Sequence, residues 1–190
     1  MAVEKTTEQS NKQSKKSRQD NKDELFWNVL DSAVALEVRH GHLKWKMSDL
    51  SRRSKVSRPL VYYYFGKDRR QILVEAIRMF GDELAGLSDK RIKYWDKGDI
   101  YTSVLASRDL CERLPHFVSF YFSHRGLTTD IGDLIRQIED RYLKKIKRYL
   151  SKTTPDQGRA VFGFLFGLTF APGLNKSAVA EGVRMIERYR

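Results

Sequence analysis

The sequence predicts an all-α fold in two parts, a three-helix domain over residues 23–70 followed by a larger helical bundle over 71–190. Three observations predict it. Apolar residues recur at intervals of three and four from Leu25 almost to the last residue, the period of a helix with one buried face. No run alternates polar and apolar residues for long enough to build a sheet. The four prolines, Pro59, Pro115, Pro155 and Pro172, fall at junctions or in first turns, where a missing amide N–H costs a helix nothing.

Residues 1–22 are rich in Lys, Gln, Ser, Asn and Thr and carry Lys12, Lys15, Lys16 and Arg18, so they read as a disordered basic arm. Phe26, Val29, Leu30, Ala33 and Leu36 then mark a first helix that ends near Gly41. Met47, Leu50 and Ser54 mark a second, and Val61 with Phe65 a third; the SKVS between them has room only for a tight turn. A fourth helix follows Asp68 as N-cap and runs through Ile72, Leu73, Ala76, Ile77, Phe80 and Leu84. Further helices are expected over 100–114, 115–123, 131–150, 155–170 and 176–190. Thr154, Pro155 and Gln157 form a start signal, with Thr as cap, Pro first and Gln third as in a capping box.

Charge narrows the function classes. The net charge is +12, and between Arg39 and Arg78 eleven lysines and arginines face only three acidic residues. Basic charge concentrated on one element is the footprint of a polyanion partner. The lone Cys111 excludes an intramolecular disulfide framework and fits a reducing compartment. No apolar leader is legible, and the most apolar run, AVFGFLFGLTFAPGL, is too short and broken to span a bilayer, so a cytoplasmic location and no membrane partner are expected.

Within the basic region, the stretch SRRSKVSRPLVYYYFGKDRR crowds seven basic residues around four consecutive aromatics. Two short helices joined by a tight turn, the second loaded with surface-reaching side chains, form a helix-turn-helix arrangement. Helical geometry divides the aromatics. Val61 and Phe65, four apart, face the preceding helices, whereas the Arg58–Tyr62 and Pro59–Tyr63 rows point elsewhere. Ser57 is placed to cap the third helix. The polarised helix end suits the wall of a major groove, with Arg58 able to donate two bonds to a guanine edge and Leu60 and Tyr63 able to touch thymine methyls.

The run from Leu50 to Phe65, followed by FGKDRRQIL, resembles the tetracycline-repressor-like (TetR) regulators over their second and third helices and the basic start of their fourth. The resemblance implies Arg58, Pro59, Leu60, Tyr62 and Tyr63 on base-facing or groove-facing positions, Tyr64 and Arg69 on phosphate-facing ones, and Ser48 at the start of a helix that also approaches DNA. Lys46 and Lys67 join them as candidate DNA contacts. The close match covers about residues 45–75, with APGLNKSAVAEG similar to the family's last helix pair. Lys46 stands where the family has a capping threonine, leaving Ser48 to take over the cap or the end to fray. Lys55 stands where glycine is common, at a cost of about 1 kcal/mol if that position is left-handed.

Other residues invite a reading. His40-Gly41-His42 lacks further ligands at metal spacing and reads as a turn; neither metal nor cofactor is expected. No nucleophile with a base, paired carboxylates or phosphate-cradling loop is legible, so no enzyme is expected, and Cys111 reads as a packed or semi-exposed thiol. Trp95, Tyr101, His116, Phe117, Phe120 and Tyr121 are candidates for a ligand pocket, with ordinary core as the alternative for most of them. Gly163 and Gly167 lie four apart on a helix that is apolar nearly all round. With Phe162, Phe166, Val179, Val183 and Ile186 they are candidates for the homodimer interface that the TetR resemblance implies, with internal core as the alternative. The sum is a homodimeric transcriptional regulator, a repressor on a double-stranded DNA operator released by a small-molecule effector. The runner-up is a protein that binds RNA or DNA without sequence preference.

Overall fold

In the computed structural model of the chain, residues 23–190 are described; the basic arm expected at 1–22 lies outside them. Helices make up the architecture, and among the described residues there is no strand. The chain divides into two compact units, Met1–Ile72 and Leu73–Arg190.

The first unit holds α1 (residues 23–40), α2 (Met47–Ser54) and α3 (Arg58–Phe65). The inner face of α1 is built by Val29, Leu30, Ala33 and Val34, none of which retains exposed surface. It stops where Gly41 turns left-handed (φ 84°) and returns its N–H to the Glu37 carbonyl at 2.9 Å. Leu50 from α2 and Val61 and Phe65 from α3 close the core, with the Phe26 and Phe65 rings 4.5 Å apart.

The boundary between units falls inside α4 (Arg69–Met79), whose start is capped as expected: Asp68 Oδ1 accepts from the Arg70 N–H at 2.9 Å. The second unit continues it as a π-turn, Phe80–Leu84, and adds α5 (Asp89–Asp96), α6 (Ile100–Arg113), α7 (His116–His124), α8 (Asp130–Tyr149), α9 (Pro155–Phe170) and α10 (Lys176–Glu187). Of these, α5 is absent from the helices that periodicity predicts. Its short amphipathic face carries a guanidinium, Arg91, where an apolar residue is the rule, although Ser88 caps it from the position expected of a helix start. The Thr154 capping box forms in full, with bonds of 2.9 and 3.3 Å.

Close helix approach in this unit depends on glycines. A Cβ on Gly182 would stand 2.6 Å from Leu168 Cδ2, so α10 lies against α9 at a distance only glycine permits. The turn between α9 and α10 is held from α6, where Arg108 donates to the carbonyls of Leu168 (2.6 Å), Ala171 (3.1 Å) and Leu174 (3.1 Å). The first two are carbonyls that the end of α9 leaves without helical partners, and the third lies in the turn itself. Among the described residues no helix is long and apolar enough to cross a membrane.

Candidate nucleic-acid interface

The turn between α2 and α3 is fixed by short side chains. Ser54 Oγ donates to the Leu50 carbonyl at 2.8 Å and accepts from the Val56 N–H at 3.3 Å, while Ser51 Oγ donates to the Val56 carbonyl at 2.7 Å. Lys55 is left-handed (φ 57°), so this turn carries the strain that glycine would have avoided. Ser57 takes the N-cap backbone conformation of α3 but makes no side-chain cap. Pro59 removes the N–H at the second helical position, one of the two donors a cap can serve, and the Leu60 N–H bonds to the Ser57 carbonyl at 3.0 Å.

Eight residues of α3 sort by burial as the helical rows require. Val61 and Phe65 are core, Arg58 and Pro59 are exposed, and Leu60, Tyr62 and Tyr64 are half-buried. Tyr63 keeps 78% of its surface, a large exposure for an aromatic ring, and meets Tyr64 edge-on at 5.0 Å. Lys67, exposed just past α3, reaches over the Tyr62 ring at 5.7 Å from its centroid.

At the start of α2 no side chain caps from the Lys46 position; Asp49 Oδ2 accepts from the Lys46 N–H at 3.0 Å, the reciprocal half of a capping box, while the Asp49 N–H turns back to the Lys46 carbonyl at 2.9 Å. Ser48, the second residue of the helix, is half-buried and does not take over the cap. The Lys46 side chain is exposed.

The segment from Gly41 to Lys46 is gripped from both sides by groups that sequence reading missed. Glu37, fully buried on α1, accepts from Leu43 N–H (3.0 Å to Oε2), Trp45 Nε1 (2.7 Å) and His42 Nδ1 (2.7 Å). Arg69 Nη1 donates to the carbonyls of two of these residues, Leu43 at 2.7 Å and Trp45 at 2.5 Å. Leu43 is itself left-handed (φ 54°), a conformation that needs such over-determination to persist. Arg69 thus holds the entry to α2, beside any part it has in meeting phosphate. The legible signal was a carboxylate on the buried face of α1, followed by two side chains with N–H donors, His42 and Trp45.

In the second unit the ligand-pocket candidates lie on α5, α6 and α7. Phe117, Phe120 and Tyr121 are buried on α7, where Phe117 and Tyr121 stack on Phe80 (6.4 and 5.6 Å) and Phe120 on His124 (4.4 Å). Tyr121 also donates its hydroxyl to Glu139, which pairs with Arg125 at 2.7 Å. His116 and Tyr101 are half-buried. Trp95 is buried and donates Nε1 to Ser103 Oγ at 3.0 Å. A narrow cleft is lined instead by Phe80, Leu84, Ala85, Tyr142, Phe166, Thr169 and Phe170.

The dimer candidates also divide. Val179, Val183 and Ile186 retain 0–4% exposure within the single chain, so their side chains belong to the protomer's own core. Gly163 and Gly167 have open space where a Cβ would stand, and Phe162 and Phe166 are half-buried, 5.2 Å apart. Cys111 is half-buried and burial pushes its thiol up to about 12, which keeps it protonated and poorly nucleophilic. Among the described residues no group of three His, Cys, Asp or Glu side chains could hold a metal ion.

No protein-family model and no curated protein sequence matches the chain. Its fold is that of the crystal structure of a TetR family transcriptional regulator, PfmR from Thermus thermophilus, with a TM-score of 0.57 over 84% of this chain and 94% of that one, at 19% identity. At that identity the likeness establishes the shared architecture, a small N-terminal helix-turn-helix unit followed by a larger helical one.

Proposed function

We propose that the chain is a sequence-specific DNA-binding transcriptional regulator, a homodimeric repressor that reads its operator with α3 and leaves it when an effector binds the second unit. The observation that carries the reading is the division of α3. Two buried residues and a serine-locked turn fix its orientation, while Arg58, Pro59 and Tyr63 stand exposed at and near a helix N-terminus. A rigid element presenting a guanidinium and a bare aromatic ring is what major-groove readout requires. Lys46 and Lys67 supply exposed positive charge on either side of it in sequence, with Ser48 and Tyr64 as further phosphate contacts. The fold shared with a TetR family regulator supports the same reading.

The second copy would dock on the exposed side of α9, where Gly163 and Gly167 leave space and Phe164 keeps 38% of its surface. Dimerisation pairs two recognition helices with two half-sites about 34–36 Å apart.

Titration of cognate, single-substituted and scrambled duplexes at two salt concentrations tests the reading. Arg58→Ala should cost about 1–3 kcal/mol on the cognate site and relax preference at one base pair per half-site. Lys67→Ala should weaken all duplexes alike and reduce the salt slope by about one per subunit. If Arg58→Ala weakens every duplex equally, α3 does not read sequence and the protein is a nonspecific nucleic-acid binder.

A further inference from the structure

Two basic side chains are buried side by side in the second unit without a carboxylate bonded to either. Arg91 on α5 and Lys145 on α8 keep 4% and 5% of their surface, and neither forms an ion pair among the described residues. Glu83 acts on Arg91 only through space. Lys145 lies on the apolar stripe of α8, among Ile138, Tyr142 and Ile146, where the helical period calls for a hydrophobic residue. Its Nζ donates to the carbonyls of Gly86 (2.8 Å) and Ala85 (3.4 Å) and stands 4.2 Å from the Trp95 ring centroid and 5.1 Å from that of Tyr142. Arg91 Nη2 donates to the Ser103 carbonyl at 2.6 Å and to Ser107 Oγ, but its buried Nε has no acceptor.

The cationic groups converge on one point. The position that a Cβ on Gly86 would take is 3.2 Å from Lys145 Nζ, 3.4 Å from Ser103 Oγ and 3.5 Å from Arg91 Nε. Gly86, left-handed at φ 64°, puts no side chain between them. Carbonyl and hydroxyl dipoles attend both groups and two aromatic faces attend Lys145, but no counter-charge bonds to either. Burial, with repulsion from Arg91, pulls the Lys145 ammonium down to about 6, so at neutral pH it is held mainly as the amine beside the charged Arg91. A buried charge without a counter-charge is strongly disfavoured unless something supplies one.

The cluster adjoins the aromatic cleft. Ala85 and Tyr142, whose carbonyl and ring Lys145 touches, also line that cleft with Phe80, Leu84, Phe166 and Phe170. We propose that this is a binding site for an amphipathic carboxylate, its head between Lys145 Nζ and Arg91 Nε and its apolar body along the cleft. A carboxylate accepts from Arg91 Nε and favours the protonated form of Lys145, so binding draws a proton onto Lys145 Nζ and leaves the assembly with a single net charge. The aromatic walls bury the remainder, as ligand pockets of mostly apolar lining with few polar groups do. The cleft is narrow as it stands, so the proposal requires the half-buried rings of Phe166 and Phe170 to move aside for the apolar body. The proposal rests on the second unit being the effector-binding one.

Binding to the full chain is measured without DNA, by thermal unfolding and tryptophan fluorescence, using matched acids and amides: octanoate, 4-phenylbutyrate and indole-3-acetate, with acetate and inorganic phosphate as bodiless anions. At least one acid should raise the unfolding midpoint by about 5 °C at a hundredfold excess over its Kd. Its amide and the bodiless anions should shift it by less than about 1 °C at the same concentration. Lys145→Met should bind that acid at least about tenfold more weakly. Equal binding of acid and amide, no acid bound at all, or unchanged affinity in Lys145→Met would overturn the site. Should that variant not fold, the acid–amide comparison on the wild-type chain decides. Release of a bound operator duplex is measured separately. An acid that binds tightly but leaves the duplex bound upholds the site and refutes effector release.

Discussion

Replacing Glu37 sets a charge argument against a positioning argument. Glu37 is fully buried and accepts from Leu43 N–H, Trp45 Nε1 and His42 Nδ1. Glu37→Met, similar in volume, strands the Leu43 N–H and the Trp45 indole N–H, at about 1–3 kcal/mol for each buried donor left without a partner. Relief from burying the carboxylate offsets part of this, so a net loss of about 3 kcal/mol is expected for the 41–46 segment. Glu37→Gln should cost about 1 kcal/mol. Its oxygen can serve Trp45 and Leu43, and its NH2 can donate to His42 if the ring presents Nδ1 unprotonated.

Hydrogen exchange on the full chain reads the difference. In Glu37→Met the Leu43 amide and the Trp45 indole should exchange about a hundredfold faster than in wild type, and in Glu37→Gln less than about tenfold faster. DNA affinity provides the contrast. Removing a negative charge close to a polyanion should tighten binding if charge alone matters, whereas loss of the grip on the entry to α2 should weaken it about tenfold or more. Unchanged exchange, or tighter DNA binding by Glu37→Met, would refute the positioning role.

Arg69→Ala frees the Leu43 and Trp45 carbonyls, so it should speed exchange at Trp45 as well as weaken all duplexes, whereas Lys67→Ala should leave exchange unchanged. Gly163→Leu with Gly167→Leu should leave protomer unfolding within about 1 kcal/mol of wild type yet shift the mass measured by light scattering towards the monomer, because a side chain there meets only open space in the single chain. Gly182→Ala should instead destabilise the protomer by about 1–3 kcal/mol, since its methyl runs into Leu168. For Lys145, a folded-state value of about 6 lies below the ordinary 10.5, so the unfolded chain binds more protons between those limits. Stability should therefore rise with pH from about 6 to about 10 and be lowest below 6, and Lys145→Met should remove that rise in urea titrations at fixed salt.

The sequence by itself determined what periodicity and local chemistry control. The core positions of α1 and α3, the Asp68 cap, the Thr154 capping box and the division of α3 into buried Val61 and Phe65 against exposed Arg58 and Tyr63 follow from spacing along one helix, which the linear order of residues records. Only the tertiary structure decided the rest, because those outcomes depend on groups distant in the chain. Arg69 is a cation in a basic run until Leu43 and Trp45, more than twenty residues earlier, present their carbonyls to it. Val179, Val183 and Ile186 form the same apolar stripe whether a second subunit or their own chain covers it; close approach of Gly182 to Leu168 gave them to their own chain. Arg91 and Lys145 break the apolar pattern of their helices, and pattern alone would send both to solvent. They are buried together beside Gly86, which has no side chain to intrude, where carbonyls and hydroxyls attend both and aromatic faces attend Lys145, with no carboxylate bonded to either.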